Sequence, residues 1–360
     1  MIETTENYIR EMITPRPADS HKGTNGRILL ICGSYGMAGA AVMSARAALR
    51  SGAGLVTVCV PWELVPVVQT AVPEAMCIEP DSIIFDNIDL NQFDCIGAGP
   101  GLRVGREQYQ IIEHLLLSYH GPLVLDADAL NCLSEYARVP EKKTYMGDAA
   151  SNDTDALEIP RQMTSLLPEI IARRKSPVIL TPHPGEADRL LASLGQMKYR
   201  ELGREKAAEI LAAETGAIVA LKGAGTLVAY GGGNASAAGE DPDGGPTVPS
   251  RVDLFYNPTG NPGMATGGSG DVLTGVVTAL VGYGRASVKQ GVKEAAGGFA
   301  AGEEGACIAA GLTPLDATRT AVYMHGLAGD IAAERLGEIG MTAMDIADAL
   351  PEAFKRIAGR

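Results

Sequence analysis

The sequence predicts an α/β fold in which a central, mostly parallel sheet is flanked by helices on both faces. Short apolar runs rich in Val, Ile and Leu recur without polar alternation, as expected for strands that are covered on both faces. Segments with helical periodicity separate these runs, and this order is typical of βαβ units. The predicted strands are residues 27–32, 55–60, 93–99, 122–128, 177–182, 217–223 and 226–232.

The remaining elements complete one large domain. A small-residue helix is predicted over about residues 37–51, and the chain from Gly268 onward is mainly helical. The run 226–232 follows the preceding strand after a tight turn that contains glycine, which favours a hairpin and hence one antiparallel strand. We expect residues 1–20 to form an N-terminal helical extension and residues 21–360 to form a single domain.

Composition excludes several classes of function. The 360-residue chain carries a net charge of −13, and such an acidic chain repels nucleic-acid backbones. It can still bind a small phosphorylated ligand through backbone N–H groups.

The six cysteines form no C-x-x-C pair, so we expect reduced thiols. Because the N-terminus lacks the pattern of a signal peptide and no apolar run is long enough to span a membrane, a cytoplasmic protein is predicted.

The sharpest motif is the segment NPTGNPGMATGGSGDVLTGVVTALVGYG at 257–284, in which GGSG directly precedes a buried helix. Such a loop can turn several N–H groups toward one point, where the helix dipole adds positive potential. Asp271 lies beside the loop and can take the proton of a hydroxyl that attacks a phosphoryl group. Alternatively, Asp271 only caps the helix. The helix N-terminus is also expected to lower the pKa of this carboxyl group, which would make it a weaker base.

A second motif, TPHPGEADRLL at 181–191, comes directly after a predicted strand. Ligands bind at the carboxyl ends of strands in open α/β sheets, so His183 is placed to touch a ligand. The alternative is a structural histidine that bonds to nearby backbone. Glu186 can orient a hydrated magnesium ion, or it can complement the dipole of the helix that it opens.

Two further motifs follow neighbouring strands. Lys222 ends one strand in the segment LKGAGTLVA, where it can meet a phosphate group as a point charge or remain a solvated lysine of the hairpin. Asp126 and Asp128, in VLDADALN, can point into the same crevice and arrange water or a metal ion. Capping of a helix by Asp128 is the alternative.

Glycine-rich loops follow two more strands. The loop GSYGMAGAA resembles a dinucleotide-binding turn only superficially, because its glycines at 33, 36 and 39 have the wrong spacing for G-x-G-x-x-G. This argues against a nicotinamide-dependent dehydrogenase. In GAGPGL at 97–102, Gly99 and Gly101 allow a ligand to approach the backbone closely.

Taken together and in order, these segments resemble the NAD(P)H-hydrate dehydratase family over about residues 20–357. The motifs that carry the resemblance are CGSYGMAGAA, GAGPGL, DADALN, TPHPGE, KGAGT and NPGMATGGSGDVLTG, with a weaker match at HGLAGDIAAE. The resemblance implies a ribokinase-like fold and the nucleotide-dependent dehydration of hydrated NADH and NADPH back to NAD(P)H. It implies that the ring hydroxyl is phosphorylated by ADP or ATP, with Mg²⁺ as cofactor, and that phosphate is then lost.

The resemblance also implies roles for particular residues. Asp271 would be the catalytic base. The anion hole would consist of Gly267, Gly268, Ser269 and Gly270. The nucleotide would contact Lys222, Gly223, Ala224, Gly225, Thr226 and Gly270. The hydrated substrate would contact Ala40, Gly101, His183 and Asp271, and the metal ligands would be Glu186 and Asp126.

Some features depart from the family pattern or leave alternatives open. The stretches 137–160, 231–250 and 285–310 are predicted to be insertions. Some relatives carry an epimerase domain ahead of this one, so we expect a separate epimerase as a pathway partner, and we expect a homo-oligomer. The main rival hypothesis is a ribokinase-like kinase that acts on a vitamin precursor or a sugar. A nucleotide-binding sensor without catalysis is disfavoured because Asp271 is present.

Overall fold

A ten-stranded sheet forms the centre of the computed structural model, which describes residues 1–84, 87–136, 171, 174–232, 252–289, 306–308 and 312–359. The strands are numbered in chain order. Their order across the sheet is β1 (Ile2–Glu3), β11 (Asp253–Tyr256), β10 (Leu227–Tyr230), β9 (Ile218–Leu221), β8 (Val178–Leu180), β7 (Leu123–Leu125), β6 (Cys95–Ala98), β3 (Arg27–Ile31), β4 (Leu55–Cys59) and β5 (Met76–Ile78).

The pairing of the strands confirms the predicted mostly parallel sheet. Every neighbouring pair from β9 to β5 is parallel, whereas β10 is antiparallel to both β9 and β11. The predicted hairpin is therefore present, with Leu227 opposite Leu221. All seven predicted runs contain a strand, and each strand is one to four residues shorter than its run because the residues at the run's end already belong to the following loop or helix.

Helices cover both faces of the sheet. They are α1 (Glu6–Met12), α2 (Ala38–Arg50), α3 (Val65–Ala71), α4 (Asp81–Ile84), α5 (Arg106–Ser118), α6 (Ala127–Tyr136), α7 (Pro184–Ser193), α8 (Tyr199–Leu202), α9 (Arg204–Thr215), α10 (Ser269–Lys289), α11 (Pro314–Leu336) and α12 (Ala343–Ile357). Helices α2, α10, α11 and α12 share one hydrophobic core, and α5, α6, α7 and α9 share the other. In β3, Ile28 and Leu30 face the first core and Leu29 and Ile31 the second, which explains why the strand is apolar throughout.

Small residues bring α10 close to the sheet and to α2. A Cβ atom added at Gly275 would overlap the carbonyl oxygen of Ser44 in α2, and one added at Gly97 in β6 would overlap the Thr278 hydroxyl of α10. The residues of α10 from Val272 to Gly284 are all buried. Helix α10 is therefore fixed against α2 and β6. The loop before α2 and the loop after β6 lie at the same edge of the sheet as the GGSG loop.

The N-terminal segment differs from its prediction. It contains α1, as expected, but also β1 and a second short strand, β2 (Ile13–Pro15), so it is only partly helical. Strand β1 joins the main sheet beside β11, and β2 pairs with β12 (Ala306–Ile308) in a separate two-stranded sheet. Strands this short carry no periodicity, and their partners are far away in sequence. Strands β5 and β11, of three and four residues, were not predicted from the sequence either.

The predicted insertions fall mostly outside the described residues. Residues 137–160 are not described, and of 231–250 only 231–232 are. Of 285–310, residues 285–289 end α10 and 306–308 form β12. No helix in the described part of the chain is long and apolar enough to cross a membrane.

We expect Gly275→Ala to lower the free energy of unfolding by about 1–3 kcal/mol, because the added methyl group must push α10 away from the Ser44 carbonyl of α2. Urea denaturation followed by circular dichroism measures this change. Gly39→Ala in α2 is the matched control. Its Cβ would meet nothing within 4 Å, so we expect it to stabilise the protein by roughly 0.5–1 kcal/mol. Equal stability of the two variants would contradict the close packing of α2 on α10.

Candidate active site

The motif residues meet at the carboxyl edge of the parallel strands. Asp126 follows β7, His183 follows β8 after two residues, and Lys222 follows β9. The first turn of α10 faces the same point, since a Cβ added at Gly270 would lie 3.3 Å from Lys222 Nζ and 3.6 Å from Asp126 Oδ2. The structure thus brings together four of the motifs that the sequence indicated, as parallel topology predicts for the three that follow strands.

A buried ion pair joins these elements. The Lys222 ammonium donates to Asp126 Oδ1 at 2.5 Å, and the hydroxyl of Thr274 in α10 donates to Asp126 Oδ2 at 2.7 Å. Asp126 is only 1% exposed. Burial alone would lower the pKa of Lys222, but the charges of Asp126 and Glu186 and the hydrogen bond to Asp126 raise it overall. Lys222 is therefore a charged lysine held by acids and not a solvated residue of the hairpin.

Glu186 and His183 cap the start of α7. The His183 N–H donates to Glu186 Oε2 at 2.8 Å, and the Gly185 N–H donates to His183 Nδ1 at 3.0 Å. Because Nδ1 accepts, the proton of a neutral ring is on Nε2, which lies 3.2 Å from Glu186 Oε1. Burial would raise the pKa of Glu186, but the hydrogen bonds from His183 and the charge of Lys222, 3.7 Å away, lower it overall. Both residues have structural partners, and the half-exposed His183 ring can still meet a ligand.

The GGSG loop opens α10 beside Lys222. Gly268 has a φ of +92°, and a Cβ at this position would overlap the Met43 side chain, so the turn requires glycine. Gly267 borders open space. The first N–H groups of a helix have no partner within the helix and carry its positive end. Together with the ammonium close to Gly270, this loop is suited to an anion such as a phosphate group.

Asp271 is the carboxyl group at this anion site. It is half-buried, and burial, followed by the negative charge of Asp126, raises its pKa to about 6, although the positive charge of Lys222 opposes this shift. The sequence analysis expected a lowered pKa from the helix N-terminus, and that expectation was wrong. A carboxyl group with a pKa of about 6 is a stronger base than an ordinary aspartate and still ionises at neutral pH.

Ala40 and Gly101 also adjoin each other. Gly101 has a φ of +62°, and a Cβ added there would lie 2.9 Å from the Ala40 methyl group. The loop after β6 therefore packs on the first turn of α2. Helix α2 also reaches the anion site, because the hydroxyl of Ser44 donates to the carbonyl oxygen of Asp271 at 2.9 Å. Three of the predicted hydrate-binding residues, Ala40, Gly101 and Asp271, thus lie on elements that contact one another.

The predicted nucleotide-binding turn, residues 222–226, connects β9 to β10. Arg204 at the start of α9 holds it by donating to the carbonyl oxygens of Ala224 and Gly225. The Thr226 hydroxyl closes the turn by donating to the Gly223 carbonyl oxygen at 3.2 Å. The turn is thus shaped by contacts within the protein and presents its glycine residues at the edge of the site.

Sequence analysis missed three residues that shape the site. Arg204 lies in a helix and carried no motif signal, whereas Thr274 lies within the motif NPGMATGGSGDVLTG but was given no role there. His325, the first residue of HGLAGDIAAE, is buried with its Nε2 atom 3.5 Å from the Ser269 hydroxyl. Burial lowers the pKa of His325 to about 4, so the ring beside the anion site is neutral. The weak family match at this motif was the one signal that could have indicated it.

The two predicted metal ligands already have partners. Both carboxylate oxygens of Asp126 accept hydrogen bonds, and those of Glu186 face His183 and Lys222. In the described part of the chain, no three His, Cys, Asp or Glu side chains form a group that could hold a metal ion. The site therefore fits an ion that is brought in by phosphate oxygens and held through water, rather than a caged ion.

Comparison with known proteins agrees with this geometry. The family model described as NAD(P)H-hydrate dehydratase matches residues 28–146, 152–242 and 247–352. The chain is 34% identical to the bifunctional NAD(P)H-hydrate repair enzyme Nnr of Moorella thermoacetica, over 98% of this chain and 54% of that protein. It is 28% identical to the ADP-dependent (S)-NAD(P)H-hydrate dehydratase of Bacillus subtilis, over 98% of this chain and 97% of that one. The chain thus spans about half the length of its bifunctional relatives.

Solved structures show the same architecture. The ADP/ATP-dependent NAD(P)H-hydrate dehydratase of Bacillus subtilis, co-crystallized with ATP/Mg²⁺, superposes with a TM-score of 0.69 at 28% identity, covering 99% of this chain and 98% of that one. A ribokinase-like superfamily protein from Enterococcus faecalis superposes with a TM-score of 0.67 at 25% identity, covering 100% and 97%. The predicted ribokinase-like fold is confirmed.

Asp126→Asn should lower the pKa of Asp271 from about 6, because it removes the negative charge that, after burial, contributes most to the shift. The amide oxygen can accept from Lys222 and the amide NH2 can donate to the Thr274 hydroxyl, which can itself donate to the Gly270 carbonyl oxygen, so the first turn of α10 should keep its position. The test is a ¹³C NMR titration of labelled aspartate carboxyl groups, with Asp271→Asn to assign the resonance. Asp348→Asn, on the exposed face of α12, is the control and should leave this pKa unchanged. An unshifted Asp271 in the Asp126 variant would contradict the electrostatic coupling.

Proposed function

The chain belongs to the NAD(P)H-hydrate dehydratase family, and from this premise we propose that it restores NADH and NADPH from their hydrated forms with ADP or ATP as phosphate donor. One observation carries the proposal beyond family membership. A carboxyl group with a pKa of about 6, Asp271, lies directly after an anion-binding loop and close to the charged Lys222. Transfer of a phosphoryl group to a hydroxyl requires this combination of a base and an anion site.

In the first step, the ionised Asp271 takes the proton of the ring hydroxyl while that oxygen attacks the terminal phosphorus of the nucleotide. A new P–O bond forms, and the bond to the leaving nucleotide breaks. N–H groups of Gly267 to Gly270, together with Lys222, would bind the negative oxygens of the transferring group. The hydroxyl of Ser269 would be oriented by the neutral His325 ring.

In the second step, the carbon–oxygen bond of the phosphorylated hydrate breaks and phosphate leaves. The lone pair of the ring nitrogen assists its departure, and loss of a proton from the neighbouring ring carbon restores the double bond. The overall reaction converts the hydrate and ATP into NAD(P)H, ADP, phosphate and a proton. With ADP as donor, the products are AMP, phosphate, NAD(P)H and a proton. Phosphorylation matters because hydroxide is a poor leaving group and phosphate a good one.

The chain's own residues fit the nucleotide and its magnesium ion. The turn at 222–226 would bind the adenine nucleotide, and Asp126 and Glu186 would hold magnesium through water, since their oxygens already accept bonds from the protein. When bound, the ion would neutralise phosphate charge. Ala40, Gly101 and His183 would contact the hydrated substrate. Each of these roles is part of the proposal.

Cellular context forms part of the same proposal. We propose a cytoplasmic location, which is supported by the free thiols of Cys32, Cys59, Cys77, Cys95 and Cys132. We also propose one catalytic domain from residue 21 to residue 360, assembly into a homo-oligomer, and an epimerase as pathway partner that supplies the reactive epimer. The rival function, a small-molecule kinase, would use the same base and anion site but release a stable phosphate ester.

The decisive experiment measures recovery of dihydronicotinamide absorbance from purified NADH-hydrate and NADPH-hydrate with magnesium and either ADP, ATP or no nucleotide. Recovery that depends on a nucleotide supports the proposal and identifies the phosphate donor. A folded protein that binds nucleotide without any recovery would contradict it, and the kinase hypothesis would then lead.

Asp271→Asn should abolish turnover while nucleotide affinity, measured by isothermal titration calorimetry, stays close to that of the unsubstituted protein, because the amide cannot accept the proton. In the unsubstituted enzyme, kcat/KM should rise with pH through about 6 and then level off, since the base works only when it is ionised. Near-normal turnover of the variant, or a flat profile between pH 5 and about 8, would exclude Asp271 as the base.

Lys222→Ala should weaken nucleotide binding and also lower stability, because it leaves the buried Asp126 without its counter-charge. Calorimetric binding and urea denaturation separate the two effects. The double variant Lys222→Ala with Asp126→Asn is the control, since it removes both charges and should recover stability without recovering affinity. Unchanged affinity in both variants would show that Lys222 has only a structural role.

A further inference from the structure

Arg103 has a backbone conformation that an arginine rarely adopts. Its φ of +67° lies in the left-handed region, and among the described residues only Ala127 shares this property without being glycine. A side chain with a Cβ atom is disfavoured in this region, and such residues persist mainly where the surroundings impose them, often at ligand sites. The unfavourable backbone conformation therefore indicates that the Arg103 side chain has a function that offsets its cost.

The turn itself does not require arginine. It is fixed by the Arg103 N–H, which donates to Asp128 Oδ2 at 2.7 Å, and every residue except proline could make that bond. The other oxygen of Asp128 accepts from the Asn131 amide at 3.1 Å, so the carboxylate is held in place. Glycine or asparagine would adopt the same φ at lower energy. The benefit must come from the guanidinium group.

The guanidinium group lies at the rim of the proposed hydrate site. Its Nη2 atom donates to the carbonyl oxygen of Tyr35 at 2.8 Å, which ties the loop after β6 to the loop after β3. These loops also carry Gly101 and lead into Ala40. The side chain is exposed, and its other N–H donors have no hydrogen-bond partner among the described residues. In the loop after β3, the buried Ser34 hydroxyl likewise has no hydrogen-bond partner in the described part of the chain.

The charge distribution indicates what this cation would bind. Among the described residues, the floor of the site contains the carboxyl groups of Asp126, Glu186 and Asp271, and the ammonium group of Lys222 is the cation that the structure places among them. A hydrated dinucleotide carries a pyrophosphate, and the NADPH form adds a 2′-phosphate. Neither can lie on the acidic floor without repulsion, so each needs a cation away from the reacting ring. Arginine binds phosphate oxygens through two parallel N–H bonds.

We infer that Arg103 binds a phosphate group of the hydrated dinucleotide and so contributes to substrate affinity. This inference rests on the proposed function. The phosphate is either the pyrophosphate, present in both substrates, or the 2′-phosphate, present only in NADPH-hydrate. A contact this far from the reacting ring is the same before and during the reaction, so it should affect KM and leave kcat unchanged.

The experiment compares Arg103→Gly, Arg103→Asn and Arg103→Lys with the unsubstituted enzyme, using NADH-hydrate and NADPH-hydrate as separate substrates. Gly and Asn suit the left-handed backbone and should fold with an unchanged or higher Tm. Each should raise KM about tenfold or more, the effect expected for a lost hydrogen bond to a charged group, at unchanged kcat and nucleotide affinity. Arg103→Lys should give an intermediate KM, because the ammonium group keeps the positive charge but cannot donate two parallel N–H bonds to a phosphate.

Arg106→Gln is the matched control, since Arg106 is an exposed arginine three residues further along and its loss changes the net charge equally. A rise in KM for both hydrates assigns the contact to the pyrophosphate, and a rise for NADPH-hydrate alone assigns it to the 2′-phosphate. Unchanged KM for both, or an equal rise in the Arg106 variant, would overturn the inference while leaving the proposed function intact. An unsubstituted enzyme without turnover would overturn both.

Discussion

The buried ion pair between Lys222 and Asp126 is the interaction on which the geometry of the site depends. It joins the end of β9 to the end of β7, and the Thr274 hydroxyl extends the connection to α10. Removing one member of a buried pair typically costs about 3–5 kcal/mol, because the remaining charge is left without compensation. The pair therefore fixes the GGSG loop relative to the strand ends, and it holds an ammonium group close to Gly270 where a phosphate oxygen would lie.

The same pair sets the electrostatics of Asp271. A helix N-terminus and a nearby lysine both favour an ionised carboxylate, yet the pKa of Asp271 is raised to about 6. Burial and the charge of Asp126 prevail because Lys222 is already bound by Asp126 and Glu186, so its positive charge is largely neutralised before it acts on Asp271. The anion site and the base can then coexist in one turn of helix, although the sequence alone indicated that the helix N-terminus would make Asp271 a weaker base.

Much of this arrangement could be predicted from the sequence. Apolar runs without alternation indicated strands buried on both faces, and parallel topology then required the residues after β7, β8 and β9 to meet at one edge. The two- and three-residue strands β1, β2 and β12 could not be predicted, since their pairing depends on distant partners. The direction of the Asp271 pKa shift depends on burial and on four neighbouring charges, and the left-handed backbone of Arg103 depends on a bond to Asp128, so neither can be obtained from local sequence.

The set of proton donors at the site is consistent with a reaction that expels phosphate. In the described part of the crevice, the Lys222 ammonium is bonded to Asp126, and His183 Nε2 faces Glu186. The Lys222 ammonium, whose pKa is raised by the charges of Asp126 and Glu186 despite its burial, is a weak acid, and the nearby His325 ring, with a pKa of about 4, is neutral. Direct dehydration would need an acid that protonates the leaving hydroxide. A phosphate ester leaves as an anion without prior protonation, so on the proposed route one base and one anion site are sufficient. On the proposed route, coupling dehydration to a nucleotide removes the need for an acid that protonates hydroxide, so a ribokinase-like site could catalyse the elimination with its phosphoryl-transfer groups.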